Sequence, residues 1–374
     1  MKFSCLQENL YRGLQIARSS VGREQSLPIL SHILLTTEKG ILSLTATNLE
    51  IAVHATVRGK VETEGSIALD AKTLVEFVSL LPKEKVDLTT SSQGILSIQC
   101  GGYSTTLHGL SSEDFPLIPS VEKENPITFS LSDIREGLST TLFAVSLQES
   151  RPELSGVLFH SDPVKKTLTI VGTDAYRLAE KTIPAEGELS QNHDVIIPLK
   201  TLQEFLRITQ YGMGARGELV ITDHQLLFLC DSVELYSKRI QGTYPDYKNI
   251  IPPSFSTHVR IPRQEFIQAI KASSIFSKAG LHDVQLTVTP KQDGKGLLSL
   301  YAANASVGEN TTTLDIEMSG GENTVLLNYK YLLDGLSLIT SQNVTLDIVD
   351  SVNPCVLKPE GGEGYLYLVM PIRQ

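Results

Sequence analysis

Apolar residues spaced four apart open three stretches of the chain: Leu10 and Leu14, Ile134 and Leu138, Phe266 and Ile270. Four-residue spacing stacks side chains on one face of an α-helix, so each pair predicts a helix with one buried stripe. A short strand-like string, FSC, FSL or VRI, precedes each. A second set of helices announces itself by near-copied strings. AKTLVEFV begins at Ala71, LKTLQEFL begins 128 residues later at Leu199, and YKYLLDGL begins after another 130 at Tyr329. Their apolar positions follow i, i+3, i+4: Leu74, Phe77 and Val78, then Leu202, Phe205 and Leu206, then Leu332, Gly335 and Leu336. That spacing again predicts a single buried stripe in each helix. The strings LSLTATN, LTIVGTD and LSLYAAN, ending at Asn48, Asp174 and Asn304, alternate in apolar character and read as strands closing in a turn.

Three families of strings recurring with one period make the chain an internal repeat. Proline-bearing segments separate the copies, DFPLIPSVEKENP from Asp114 and TYPDYKNIIPPS from Thr243. The expected modules are therefore 1–124, 125–253 and 254–374. Each holds two strand-then-helix units amid many strands, which gives an α+β class with mostly antiparallel sheet.

Composition adds that the chain folds and stays out of membranes. Of 374 residues, 41% are apolar and 20% charged, the balance of an ordinary globular protein. No apolar run reaches the roughly 18 to 20 residues of a membrane span, and the opening MKFSCLQENLYRGL turns polar too soon for a secretion signal. A cytoplasmic protein is expected. Cys5, Cys100, Cys230 and Cys355 lie far apart with no C-x-x-C, so they read as buried free thiols, not as a disulfide framework or zinc site. The net charge of −10, from 42 acidic and 32 basic residues, argues against nucleic acid unless the basic residues are segregated.

Catalytic chemistry is not evident. GMGARG at Gly212 to Gly217 fits G-x-G-x-x-G and is all that supports a nucleotide-dependent oxidoreductase. A dinucleotide fingerprint needs a strand before the glycines and a helix after them. The order around GMGARG is the reverse, which predicts a glycine turn ending a helix. Asp174 and Arg177 in TDAYRLAE suggest a strand-end turn more readily than a catalytic pair. The eight histidines are scattered, and no P-loop, H-E-x-x-H or G-x-S-x-G occurs. No enzyme activity, cofactor or metal is expected.

At VGTDAYRLAE, TYPDYKNIIP, LNYKYLLDGL and the final YLVMPIRQ the sequence closely resembles the bacterial DNA sliding clamps, the beta subunits of the replicative DNA polymerase. LPILSHILL from Leu27 and DFP at Asp114 fit the same family, so the resemblance spans the chain. It implies three clamp modules per chain and a head-to-tail homodimer closing as a six-module ring around double-stranded DNA. It implies as partners the polymerase catalytic subunit, the ATP-dependent clamp loader and other clamp-motif proteins. The charge conflict then has an answer: lysine recurs at Lys72, Lys200 and Lys330, and the first helices or their ends carry Arg12, Arg18, Arg135, Arg263 and Lys271. A basic channel inside an acidic exterior admits a polyanion only through the hole.

By the same resemblance, Arg23, Gln148 and Lys200 fall on DNA-contacting positions, and Ile275, Phe276 and Leu107 on the subunit joint. A partner-peptide pocket, taking segments like Gln-Leu-x-Leu-Phe, falls on Leu154, Thr173, Ala175, Tyr176, Arg177, Leu178, Pro245, Ile250, Asn328, Tyr331, Val352, Pro354, Leu368, Met370, Pro371, Ile372 and Arg373. The sequence departs from the family at Leu199, Tyr176, Asn249 and Gln374. The rival reading is a three-module peptide-binding adaptor that encircles no DNA.

Overall fold

The structure, a computed structural model, describes residues 1–22, 27–91, 93–148, 150–187, 192–278, 280–362 and 364–373. Among these, six α-helices form where the apolar spacing placed them: α1 (Gln7–Arg18), α2 (Ala71–Leu80), α3 (Leu131–Thr141), α4 (Leu199–Thr209), α5 (Arg263–Ser274) and α6 (Tyr329–Leu338). The strands between them pair antiparallel. No described helix is long and apolar enough to cross a membrane.

Two compact units divide the chain. The first comprises Met1–Ser132, Ala185–Ser190 and Lys200–Arg239; the second comprises Asp133–Pro184, Gln191–Leu199 and Ile240–Gln374. In the first unit, a five-stranded sheet runs Lys60–Thr63, Lys2–Leu6, Lys85–Thr90, Ile95–Cys100, Tyr103–His108. An eight-stranded sheet runs Ile127–Ser130, Arg216–Ile221, Gln225–Cys230, Val233–Lys238, Ile51–Arg58, Ile41–Thr47, His32–Glu38, Gly65–Asp70. In the second unit a twelve-stranded sheet begins His193–Pro198, Gly156–Asp162, Thr167–Thr173, Arg177–Pro184, Tyr365–Val369, Cys355–Pro359. It continues Asn343–Ile348, Thr257–Pro262, Gly308–Gly320, Lys295–Asn304, Asp283–Pro290, Asn323–Asn328.

The repeat and the compact units do not coincide. The middle copy's strands divide between two sheets, because each of its outer ladders continues a ladder of a neighbouring copy. Val233–Lys238 pairs with Ile51–Arg58 of the first copy, and Arg177–Pro184 pairs with Tyr365–Val369 of the third.

Within each unit the helices press their stripes onto the sheets. Leu10 and Leu14 of α1 and Leu74 and Val78 of α2 share one core cluster with Leu44 and Val57. Phe266 and Ile270 of α5 and Leu332 and Leu336 of α6 share another with Tyr367. A small residue sits between the two large ones on every first helix: Gly13, Gly137 and Ala269. At Gly13 a Cβ would lie 2.6 Å from Val57 Cγ2, and at Gly137 one would lie 2.7 Å from Ile170 Cδ1. Close approach of helix to sheet is what these positions secure.

The second helices keep the predicted stripe with three adjustments, one being that Leu206 of α4 is only partly buried while Ile208 lies inside. Phe77 is only partly buried, and Val75 takes the interior place beside Leu74 and Val78. In α6 the glycine is structural: a Cβ on Gly335 would lie 2.4 Å from two ring carbons of Tyr367, whose ring is fully buried. The tyrosine supplies the bulk that Phe205 supplies in α4. GMGARG follows α4, turns at Gly212 (φ +66) and enters the strand Arg216–Ile221, a helix-to-strand turn as its flanks predict.

All four cysteines are buried and outside any disulfide, and burial pushes the Cys5 and Cys355 thiols up to about 12, so those two stay protonated.

Gly335→Ala should destabilise the protein by about 1–3 kcal/mol through overpacking, although alanine is the better helix former by about 1 kcal/mol. Thermal unfolding of both proteins checks it; an equal or higher midpoint in the variant would show that Tyr367 yields.

Candidate functional site

The strand Thr167–Thr173 and the strand Arg177–Pro184 are joined by a turn built from side chains. Thr173 Oγ1 donates to the Arg177 carbonyl (2.6 Å) and accepts from the Ala175 N–H (3.1 Å). Asp174 Oδ1 accepts from the N–H groups of Tyr176 and Arg177, both at 2.9 Å. Such an Asx turn tolerates the left-handed Ala175, at φ +75, and leaves the Tyr176 ring exposed.

Arg177 then points into a ring of acceptors and aromatics. Its Nε donates to Asp174 Oδ2 (3.0 Å) and its Nη1 to Asp334 of α6. Its guanidinium lies 4.4 Å from the Tyr331 ring centre and 5.4 Å from that of Phe143. Burial alone would lower the guanidinium's pKa, but the Asp334 and Asp174 carboxylates outweigh it and hold the charge in place. Asp174 and Arg177 therefore form a turn and its clamp. Asp334 and Phe143 were missed by sequence reasoning, because nothing in their spacing links them to Arg177.

The carboxy-terminal strand seals this turn. Arg177 pairs with Val369 and Leu178 with Leu368, and the Met370 N–H donates to the Tyr176 carbonyl (2.9 Å). The Ile372 N–H donates to the Leu326 carbonyl (2.8 Å), and Tyr367 Oη donates to the Tyr331 carbonyl (2.9 Å). Leu178 and Leu368 lie in a cluster with Leu158, Val171, Tyr244 and Tyr247, and Met370 packs on its edge. Tyr244 Oη, donating to the Val171 carbonyl (3.2 Å), ties down the loop that carries Pro245 and Ile250.

The candidate residues thus divide by depth. Leu154, Thr173, Leu178, Pro354, Leu368 and Pro371 are buried, as floor and frame. Ala175, Tyr176, Pro245, Ile250, Val352 and Arg373 are exposed, with Arg177, Asn328, Tyr331, Met370 and Ile372 between the two. Pro245 lines a cavity of about 360 Å³ with Leu158, Ile196, Tyr244 and Tyr247. Asn328 has a local duty, because its side chain caps α6 by accepting from the N–H groups of Lys330 and Tyr331.

The recurring lysines are exposed and stand second in their helices: Lys72 in α2, Lys200 in α4, Lys330 in α6. A cation in a first helical turn opposes the helix dipole, at about 0.3–1 kcal/mol. The first turns of α1, α3 and α5 carry Glu8, Asp133 and Glu265, as the dipole favours, whereas those of α2, α4 and α6 carry no acid. A lysine so placed gains nothing from the helix dipole. Lys200 Nζ is 4.0 Å from Glu50, and Gln148 is exposed. Arg23 falls outside the described residues.

Two of the arginines expected on the basic face are otherwise engaged. Arg263 donates to the Leu336 and Ser341 carbonyls at the end of α6, and Arg12 donates to the Gly212 carbonyl. Arg207, which the sequence did not mark, donates to the carbonyls of Gln15 and Ile16 near the end of α1. Carbonyls left over at helix ends draw these guanidinium groups.

With the geometry in hand, comparison with known proteins is decisive. Residues 1–119, 129–246 and 248–373 match the models of the N-terminal, central and C-terminal domains of the DNA polymerase III beta subunit. The chain belongs to that family. A beta sliding clamp of Synechocystis is 30% identical over 394 residues, covering 100% of this chain and 99% of its own. The crystal structure of the beta subunit from Pseudomonas aeruginosa superposes with a TM-score of 0.92 at 28% identity, covering 100% of both chains. A second Pseudomonas aeruginosa clamp structure, bound to griselimycin, has a TM-score of 0.91 at 28% identity and full coverage of both chains. The fold is the three-domain clamp fold, with two helices per domain.

Seen as a clamp chain, the sheets end in a telling way. Tyr103–His108 is the outermost strand of its sheet, and among the described residues nothing pairs with its outer side. Gly308–Gly320 pairs with the strand Thr257–Pro262 only through Glu317 to Gly320, leaving one side of its first residues open. Phe276 stands beside that open edge, its ring 3.8 Å from where a Cβ on Gly308 would be. Ile275 is exposed, and Leu107 is half-buried on the Tyr103–His108 strand.

Asp174→Asn should keep the turn, because Asn48 builds the same one in the first copy, accepting from Glu50 and Ile51 N–H at 3.0 and 2.8 Å. Asp174→Ala leaves two N–H groups without acceptors and should cost about 1–3 kcal/mol. Chemical denaturation distinguishes them; equal loss in both variants would mean that the ion pair with Arg177, not the turn, is what matters.

Proposed function

We propose that two copies of this chain, joined head to tail, close as a ring around duplex DNA and tether replication proteins to it without catalysing any reaction. One observation carries the reading: the same strand joint is made twice within the chain and left open once. Val233–Lys238 docks on Ile51–Arg58, and Tyr365–Val369 docks on Arg177–Pro184. The corresponding strand of the first copy is Tyr103–His108, and the corresponding edge of the third is that of Gly308–Gly320. Each needs a partner, and a second copy supplies both. The register of the internal joints, carried over, puts Leu107 opposite Gly308, beside Phe276 and Ile275. A rotation that closes gives a ring rather than a filament.

The lysines of α2, α4 and α6 support DNA as the occupant of the hole. Because encirclement retains DNA by topology, a few phosphate contacts suffice and a net charge of −10 is no obstacle. The turn at Thr173–Arg177, with Tyr176, Pro245, Ile250, Val352 and Met370 accessible about a buried apolar floor, supports a site for short partner segments. Polymerase, clamp loader and other proteins carrying a segment like Gln-Leu-x-Leu-Phe are the proposed ligands, in the cytoplasm.

Retention on DNA tests the ring. Loaded wild-type protein should stay on a nicked circle and leave once the circle is cut; Ile275→Glu with Phe276→Glu should be monomeric and unretained. Lys72→Gln, Lys200→Gln and Lys330→Gln together should lower transient DNA affinity, reducing its salt dependence by roughly 0.9 log unit per lost contact, with no loss of thermal stability. Equal retention on circles and linear DNA would leave a peptide-binding adaptor.

Titration calorimetry tests the partner site. Met370→Ala with removal of Pro371 to Gln374 should weaken a Gln-Leu-x-Leu-Phe peptide at least about tenfold, or roughly 1.4 kcal/mol. Dimerisation should survive. Unchanged affinity would move partner binding elsewhere.

A further inference from the structure

The turn that frames the partner site occurs again, bond for bond, in the first unit. Thr47 Oγ1 donates to the Ile51 carbonyl (2.9 Å) and accepts from Leu49 N–H (3.0 Å), as Thr173 does with Arg177 and Ala175. Asn48 takes the place of Asp174, and Leu49, at φ +71, the place of left-handed Ala175. The sealing strand is repeated as well. Ile51 pairs with Ser237 as Arg177 pairs with Val369, and the Lys238 N–H donates to the Glu50 carbonyl (3.3 Å) as that of Met370 does to Tyr176. Even the loop across the front corresponds: buried Phe115 precedes Pro116 as buried Tyr244 precedes Pro245.

The two places differ in what fills them. Ala52 pairs with Tyr236 where Leu178 pairs with Leu368, so a small residue faces a large ring in place of two leucines. A cavity of about 230 Å³ remains, lined by the turn, by Pro116 to Pro119 and by Tyr236, several times the roughly 30 Å³ share of a water molecule. Leu117 stands at its rim 97% exposed, with Leu49 also exposed. Exposed leucines beside an open apolar cavity are the mark of a docking surface. Lys238 occupies the place of Met370; it is exposed and makes no ion pair with any described residue. Glu50, the other ion at the cleft, faces Lys200. The unmatched charge is thus positive.

We propose that this cleft is a second peptide site, which takes a short extended segment bearing an aliphatic anchor followed by an acidic side chain. The anchor enters between Leu49, Leu117 and Tyr236, and the acid meets Lys238. The inference rests in part on reading the Thr173–Arg177 site as a peptide site, and it goes further in giving the chain two sites of unlike preference.

The test uses the full-length protein and two fluorescent probes, Gly-Leu-Leu-Asp-Glu and Gln-Leu-Ser-Leu-Phe. Lys238→Glu and Leu117→Ser, both at exposed positions, should each weaken the acidic probe at least fivefold and leave the other probe unchanged. A benzophenone group at the anchor of the acidic probe should cross-link to residues 49–52 or 116–119. Equal binding of the acidic probe to wild type and both variants, cross-links confined to residues 173–178 or 365–373, or no binding at millimolar concentration would each overturn the proposal. Failure of Gln-Leu-Ser-Leu-Phe alone, with the acidic probe behaving as expected, would remove the partner site and leave this cleft standing.

Discussion

Main-chain hydrogen bonding across the edges of sheets is the constraint on which this protein depends. A strand edge exposes N–H and C=O groups that invite another strand, and most proteins shield such edges. This chain uses them. Two internal joints are made by one copy's last strand pairing with the preceding copy's outer strand, and the register of those joints fixes the turn, the sealing strand and the loop that surround them. The proposed partner site would be a by-product of the joint: Arg177 and Leu178 are placed by the pairing that also brings Val369 and Leu368 beside them.

The helices are arranged for two unrelated ends. Their inner stripes serve the cores, where Gly13 and Gly137 let α1 and α3 lie close to their sheets. Their amino termini serve something else, since Lys72, Lys200 and Lys330 stand against the dipole that Glu8, Asp133 and Glu265 obey on the other three helices. A placement that folding disfavours, kept at one position in all three copies, is intelligible as a site for a polyanion.

Much of this was legible in the sequence because it is local or repeated. Four-residue apolar spacing identifies all six helices, and the flanks of GMGARG correctly exclude a dinucleotide loop. What escaped is long-range. That Gly335 yields its place to Tyr367 depends on a strand more than thirty residues away. That Arg263 and Arg12 donate to helix-end and loop carbonyls is a matter of which carbonyls lack partners. That Leu178 and Leu368 are buried follows from the strand pairing that joins them. The division of the middle copy between two sheets was invisible for the same reason: periodicity reports where a copy begins, not which neighbour its edges join.

Identical ladder chemistry can have opposite kinetic character, and the linkers decide which. Where two strands share a chain, the segments following Phe115 and Tyr244 present each to the other at an effective concentration in the millimolar range for a short tether. A joint that opens there recloses before anything diffuses away. The edge at Gly308 has no covalent tether; in a two-copy ring only the second joint holds the copies together once the first opens, and when both have opened the partner returns only at the concentration of free copies. In the proposed ring the internal joints would therefore be the lasting seams and a joint between copies the place to open, with no difference in bonding needed to tell them apart.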